Sequence, residues 1–359
     1  MSIHFHNLAI KEVRKETPEC ISVSFDVPAG LQKDFEFKQG QSLTMRATIG
    51  GEEVRRTYSL CSSPLDSQWK VAIKKVDGGL FSSFANDNLK SGDMLEVMEP
   101  VGKFYVELNP ANKKNYLAFA AGSGITPVIS IIKTTLRTEP QSSFTLVYGN
   151  RSRSSIIFFE ELEGLKNQFL SRFNFINILS RERTETPLNF GRIDEEKLIE
   201  LSKLIDYTQI GETFICGPEE MIFCVKDFLI KKGVNEKNIH FELFTSSSPK
   251  ASNVKRQPSN TASGPASKIT VKVDGRSFDF DLPLNSDTTI LDAALKQGAD
   301  LPYACKGGMC CTCKAKLLEG EVEMDVHWGL EHEEIEKGYI LTCQSHPKAE
   351  KVVVDFDIK

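Results

Sequence analysis

No stretch of this 359-residue chain approaches the run of about 20 apolar residues that a membrane span needs. The opening "MSIHFHNLAIKEVRKETPEC" lacks the apolar core and small-residue cleavage site of a secretory leader, so a cytoplasmic protein is expected. Basic charge is not in excess: the formal net charge is −5, which argues against nucleic acid as a partner. No internal repeat occurs. The six histidines (His4, His6, His240, His327, His332 and His346) show no ligand spacing, and no carboxylate–histidine pattern of a di-iron site is present. Cysteine is scarce, nine in all, yet four of the nine fall within "YACKGGMCCTC", Tyr303 to Cys313. In a reducing compartment such crowding points to metal rather than disulfides.

What is present is a soluble globular composition, 40% hydrophobic and 26% charged, long enough for two or three cores. Short β-rich runs such as "SLTMRATIG" and "WKVAIKKV", broken by Gly and Pro, predict a β-barrel over 1–110. From 111 to 244 the chain alternates strand, helix and strand ("YLAFAAG", "PVISIIKTTLR", "SFTLVYGN"), the pattern of a parallel α/β sheet. Residues 245–266 are rich in Ser, Pro and Asn and hold no aromatic, so a flexible linker is expected. A small module, 267–359, closes the chain. From Ser267 onward eleven Lys and Arg face seventeen Asp and Glu, a balance of −6, which suggests docking to a basic surface.

Cys305, Cys310 and Cys313 follow C-x4-C-x2-C, and Cys343 is the one later cysteine. That is the plant-type [2Fe–2S] spacing. Two irons bridged by sulfides need four thiolates; a short loop supplies three and another part of the fold the fourth. Gly307 and Gly308 let backbone approach the cluster and donate to sulfur. A zinc site is the competing reading, but structural zinc favours a second C-x2-C pair or histidines, and neither occurs. Cys311 also permits C-x5-C-x-C; Cys310 completes the known spacing, leaving Cys311 as a free thiol. The surrounding segment, "ITVKVDGRSFDFDLPLNSDTTILDAALKQGADLPYACKGGMCCTCKAKLLEGEV", resembles a plant-type ferredoxin domain, which implies an α+β β-grasp fold.

Upstream, Arg56-Thr57-Tyr58-Ser59 resembles the R-x-Y-S motif of the ferredoxin–NADP⁺ reductase family, and "DGGLFSS" its second flavin segment. The resemblance implies an antiparallel β-barrel that binds FAD. Tyr58 and Ser59 would then lie against the isoalloxazine, Arg56 would meet the diphosphate, and Ala72 and Ile73 would line the flavin. Gly79, Leu80, Phe81 and Ser82 would cradle the pyrophosphate. The chemistry is suitable: an aromatic face for a flat ring, a hydroxyl near its reactive nitrogen, and a guanidinium for phosphate.

In the α/β region, Gly122-x-Gly124-x-x-Pro127 sits between a strand and a helix, and its proline departs from the standard dinucleotide fingerprint. It is the form expected of the same family, which implies Thr126 near the stacked nicotinamide and a helix begun by Pro127. Cys216-Gly217-Pro218 resembles the family's C-G-P motif, with Cys216 near the site of hydride transfer; a buried structural thiol fits that position too. "HFELF" places Glu242 and Phe244 at the family's flavin edge. Ser180 and Arg181 match its NADP-type pattern, Arg151 and Arg153 follow the preceding strand, and no acidic residue ends "FNFINILS". NADPH is therefore expected.

The expected whole is a multidomain reductase: flavin barrel, parallel-sheet nucleotide domain and ferredoxin domain, carrying electrons from NADPH through FAD and a [2Fe–2S] cluster. Over nearly its full length the chain is similar to the reductase subunits of phenylacetyl-CoA ring epoxidases. That resemblance implies a separate multi-subunit di-iron oxygenase as acceptor, within phenylacetate degradation. The alternatives are the reductase of another oxygenase, using FMN or NADH, and a non-catalytic redox sensor or carrier.

Overall fold

The computed structural model describes residues 4–244, 265–284 and 286–358. One compact unit runs from Phe5 to Phe244, and a second holds the strands from Ala266 onward. All but the last two residues of the expected linker lie outside the described residues. Among the described residues no helix is long and apolar enough to cross a membrane.

The first unit begins with β1 (Phe5–Thr17), β2 (Cys20–Asp26), β3 (Ser42–Ile49), β4 (Glu52–Ser59), β5 (Trp69–Lys74), α1 (Leu80–Asn88) and β6 (Met94–Met98). The strands pair antiparallel in the order β4-β3-β6-β1-β2-β5. An antiparallel bridge, Leu60 to Val71, links the ends of the two outer strands and brings the sheet round into a barrel. Alternating residues fill it: Leu43, Met45, Val71, Ile73 and Val97 are fully buried.

The chain continues through β7 (Asn115–Ala121), α2 (Ile125–Thr138), β8 (Ser143–Asn150), α3 (Phe159–Gln168), β9 (Phe173–Leu179), α4 (Glu195–Leu201), β10 (Glu212–Gly217), α5 (Glu219–Lys231) and β11 (Ile239–Leu243). The sheet is parallel throughout, in the order β11-β10-β7-β8-β9. After β7 the chain moves to one side and later returns to the other, so a crevice opens between the carboxyl ends of β7 and β10. That is where an open α/β sheet binds its ligand.

Barrel and parallel sheet share one core. Cys20, Cys61, Ala72 and Phe104 from the barrel side cluster with Ile125, Ile129, Tyr148 and Cys216. Lys133 of α2, only 6% exposed, is held between Asp66 on the barrel side (3.0 Å) and Glu161 of α3 (2.8 Å). Arg137 also bonds Asp66, and Lys70 lies 3.6 Å from Glu161. A second buried carboxylate, Glu139, accepts from Tyr116 (2.9 Å), Ser142 (2.7 Å), Asn112 (2.7 Å) and the Asn109 amide (3.1 Å). It thereby fastens the connector between the two halves to α2. Two sequence modules thus fold as one body.

The second unit comprises β12 (Ala266–Val273), β13 (Arg276–Pro283), α6 (Ile290–Lys296), β14 (Lys314–Glu319), β15 (Val322–Met324), α7 (His332–Glu336), β16 (Tyr339–Leu341), β17 (Ser345–Pro347) and β18 (Lys351–Asp355). Its mixed sheet, β13-β12-β18-β14-β16, pairs β12 parallel with β18 and its other neighbours antiparallel. Ile290, Leu291 and Ala294 of α6 pack in the same core as Ile269, Val271, Val352 and Val354. Thr289 caps that helix, accepting the Asp292 amide.

Candidate functional site

The separate motifs of the barrel converge. Tyr58 and Phe81 stand with ring centroids 5.7 Å apart, which joins β4 to the start of α1. Ser59 donates to Glu242 of β11 at 3.3 Å, which joins β4 to the parallel sheet. Burial raises the Tyr58 hydroxyl above its ordinary range, so it stays protonated. Arg56 directs one guanidinium nitrogen to the Arg55 carbonyl (2.7 Å). In "DGGLFSS" the residues divide their work. Phe81 is buried in the barrel core, and Leu80 is exposed. The Ser82 hydroxyl accepts the Val76 amide (3.2 Å) and donates to the Gly79 carbonyl (3.3 Å), which folds the loop from within. Gly79 precedes the helix, whose first amides have no partner inside it. Ala72 and Ile73 are buried, Ala72 in the core shared with the parallel sheet.

A cavity of about 700 Å³ lies at the carboxyl edge of the parallel sheet. Gly122, Gly217 and Pro218 line it at the switch point; Arg151 and Ser180 line it beyond β8 and β9. The two glycines of G-x-G-x-x-P serve different ends. Gly122 has φ +54° and its carbonyl accepts the Tyr148 hydroxyl at 2.8 Å. Gly124 has an ordinary helical backbone, but a Cβ there would lie 2.0 Å from the Cys216 carbonyl oxygen. Only glycine lets the turn after β7 close on the turn after β10. Pro127 is the third residue of α2 rather than the first, still within the turn whose amides need no helical partner. Thr126 is buried and donates to the Ser123 carbonyl (3.1 Å).

Cys216 is fully buried, and burial followed by the charge of Glu242 raises its thiol well above the usual range. It is packed backbone, not an exposed nucleophile. Arg181 is exposed and is not part of the cavity wall; its amide bonds the Arg151 carbonyl at 2.9 Å. Arg153 lies over the Phe159 ring at 4.8 Å. Among the wall residues that escaped the sequence reading are two cations, Lys74 and Arg192. The first cation after the apolar run "VAI" was the available sign for Lys74.

In the second unit, the Cys305 sulfur accepts the amides of Gly307 (3.3 Å) and Cys310 (3.5 Å). The thiols pair two by two: Cys305 with Cys310, and Cys313 with Cys343. The hydrogen bond from the Cys310 thiol lowers Cys305, while that bond and burial raise Cys310. Among the described residues no three His, Cys, Asp or Glu side chains gather on a single ion. Two pairs are what a two-iron cluster asks of its ligands, each iron taking two thiolates, so the donor set fits it better than zinc. Cys311 takes a different direction, its sulfur 2.7 Å from the Gly329 carbonyl oxygen. The loop is drawn tight, with Lys306 at φ +50° and Cys311 at φ +56°, and a Cβ on Gly308 would strike Val326 at 2.7 Å. Thr342 donates to the Cys313 carbonyl (3.0 Å) and Gln344 to that of Lys306 (2.9 Å), which lashes the strand of the fourth cysteine to the loop.

Comparison with known proteins follows these modules. An oxidoreductase FAD-binding domain matches residues 7–105, an oxidoreductase NAD-binding domain 119–227, and a 2Fe-2S iron-sulfur cluster binding domain 271–348. The chain is 45% identical over 357 residues to one of the subunits of 1,2-phenylacetyl-CoA epoxidase from Escherichia coli (strain K12), covering 99% of this chain and 98% of that one. It is 34% identical to the ferredoxin reductase component of 3-ketosteroid-9-alpha-monooxygenase from Rhodococcus rhodochrous, over 97% of this chain and 96% of that one. Among solved structures, phthalate dioxygenase reductase matches with a TM-score of 0.59 and 25% identity, over 98% of both chains. A type IV self-sufficient cytochrome P450 monooxygenase matches 98% of this chain but 41% of its own, with a TM-score of 0.69 and 20% identity, a likeness of fold.

Proposed function

Since this chain belongs to the family of FAD-, NAD- and [2Fe–2S]-containing ferredoxin reductase components of oxygenases, we propose that it draws electrons from NADPH for a separate multi-subunit di-iron oxygenase, the one that epoxidises phenylacetyl-CoA. The acceptor reading rests on the 45% identity to the matching component of that epoxidase, which runs the length of both chains. The observation that carries the relay is the gathering of Cys305, Cys310, Cys313 and Cys343, with the Cys310 amide on the Cys305 sulfur and Thr342, beside Cys343, on the Cys313 carbonyl, in a unit distinct from the flavin and nucleotide body. When bound, FAD accepts a hydride from the nicotinamide and the cluster passes electrons on one at a time.

The chain's own residues position these groups. Tyr58 offers a ring face, Ser59 a hydroxyl held by Glu242, and Arg56 a cation for the FAD diphosphate. The amides at the start of α1, from Leu80 to Ser82 behind Gly79, receive phosphate oxygens, and Ala72 and Ile73 close the flavin's wall. Gly122, Gly124, Thr126 and Pro127 face Gly217 and Pro218 across the crevice and hold the nicotinamide half, with Cys216 packed behind them. Ser180 and Arg151 of the cavity wall take the 2′-phosphate, with Arg181 beside them reaching in from outside the wall. Cys305, Cys310, Cys313 and Cys343 hold the cluster. Residues 1–110 and 111–244 are the flavin and nucleotide domains, 245–266 the linker, 267–359 the ferredoxin domain, and the protein works in the cytoplasm.

The test combines the purified chain, NADPH and the epoxidase's oxygenase subunits with phenylacetyl-CoA. Epoxide formed in step with NADPH consumed supports the reading. Brisk NADPH-dependent reduction of ferricyanide with no epoxide overturns the partner, and a single stoichiometric reduction without turnover overturns the enzyme.

A further inference from the structure

The backbone of the cysteine loop is heavily engaged. The amides of Gly307 and Cys310 donate to the Cys305 sulfur. The Lys306 carbonyl accepts from Gln344, that of Gly308 from the Gly329 amide, and that of Cys311 from the Lys314 amide. The Cys313 carbonyl accepts twice, from the Thr342 amide (3.2 Å) and the Thr342 hydroxyl (3.0 Å). One polar group in the loop differs. Thr312 is 5% exposed, and among the described residues its hydroxyl oxygen is buried with no hydrogen-bond partner.

A buried hydroxyl without a partner is costly, so its acceptor has to be sought. Thr135, Thr213 and Ser267 also carry unpartnered hydroxyls, but they lie within α2, β10 and β12. Thr312 lies in the turn between Cys310 and Cys313, two residues after the one and next to the other. The carbonyls on either side of it, those of Cys311 and Cys313, already accept. The side chain that its hydroxyl faces is Cys310. That thiol is raised by its bond to Cys305 and by burial, and Thr312 works against both, as a donor turned to the sulfur does. Spacing alone gave Thr312 no duty, since it fills a variable place in C-x2-C.

We propose that Thr312 sets the potential of the [2Fe–2S] cluster: its hydroxyl donates to the Cys310 sulfur when the cluster is bound and favours the reduced state. The inference rests on Cys310 being a ligand. Iron binding displaces the Cys310 thiol proton and leaves a thiolate, a better acceptor than a thiol. Reduction by one electron adds negative charge to the cluster and its sulfurs. A donor is therefore held more tightly in the reduced state, and the potential rises.

The reconstituted full chain and its Thr312→Val, Thr312→Ser and Thr312→Ala variants are compared by redox titration of the cluster's paramagnetic signal and by resonance Raman of the iron–thiolate stretches. Thr312→Val keeps the shape and loses the donor. Charge-assisted bonds are about twice as strong as neutral ones. The cluster's affinity for its electron should accordingly fall about tenfold, or about 59 mV for one electron, and an iron–thiolate band should move to higher frequency. Thr312→Ser keeps the hydroxyl and should stay within about twofold of wild type. Iron and FAD contents should be unchanged in both. Thr312→Ala should repeat the loss, and it decides the matter if the valine variant does not hold a cluster. A structural role for the methyl group predicts the reverse order, with serine shifting the potential and valine leaving it. That order, or valine and alanine variants that match wild type, would overturn the proposal. A wild type without a cluster overturns the cluster reading, and a cluster that survives in Cys310→Ser overturns the ligand through which Thr312 acts.

Discussion

Gly124→Ala tests whether the crevice is set by backbone contact. The added methyl would start 2.0 Å from the Cys216 carbonyl oxygen and 2.5 Å from its carbon. Ordinary contact begins near 3.4 Å, so the turns after β7 and β10 must part by about 1.4 Å. Both obstacles are backbone, so no rotamer change relieves the clash. Overpacking of this kind costs about 1–3 kcal/mol, and for a unit of this size each kcal/mol lowers Tm by about 2–4 °C. The functional cost is larger. Misplacing reacting atoms by about 1 Å slows a reaction by roughly 100-fold, so flavin reduction by NADPH in stopped-flow should fall by that order. FAD and iron content should be unchanged. Gly164→Ala is the control: it lies in α3 with nothing within 4 Å of its Cβ, and it should gain up to about 1 kcal/mol without altering the rate. A folded, flavin-loaded Gly124→Ala protein that is reduced at the wild-type rate would refute the reasoning.

Three further outcomes follow from the geometry. Cys310→Ser should abolish the cluster's visible and paramagnetic signals while sparing flavin, whereas Cys311→Ser should keep them; the reverse pattern would reassign the ligand. Lys133→Ala removes a cation 6% exposed from between Asp66 and Glu161; about 3 kcal/mol of stability should go, the low end for a broken buried pair because Arg137 and Lys70 remain. Chemical denaturation followed by flavin release measures it. Burial opposes the charge on Asp66, yet bonds from Arg137, the Ser63 amide and Lys133 outweigh it and hold its pKa below the usual value. Glu212 is lowered likewise, burial being outweighed by His240 and Lys114. Their stabilisation is therefore complete above the unfolded carboxylate values of about 4 and is lost as pH falls through the lower folded ones. Asp66→Asn should flatten the acid limb of stability against pH, and an unchanged slope would exclude Asp66 from it.

Spacing made the modules legible in the sequence. Cys305, Cys310, Cys313 and Cys343 stand at intervals that few uses of thiols share, and G-x-G-x-x-P between an apolar strand and helix is a local pattern. What stayed hidden depends on contacts distant in the chain. Gly124 owes its identity to Cys216, ninety-two positions away, and nothing local separates its duty from that of Gly122. Lys74 and Arg192 join one cavity only because the barrel and the parallel sheet share a core, which two motif-bearing segments do not announce. The motif does not tell what the Ser82 hydroxyl does; its bonds to Val76 and Gly79 spend it on folding the loop. The proline of the fingerprint implies a helix start, and the helix begins two residues earlier because the preceding turn runs straight into it.

Anaerobic titration of the purified, reconstituted chain with NADPH, followed by flavin absorbance and cluster paramagnetism together, tests the relay most directly. The account predicts an uptake of three electrons per chain, two in the flavin and one in the cluster, with the cluster signal lost in Cys310→Ser and the flavin bleaching retained. A cluster that stays oxidised while the flavin is fully reduced would contradict it.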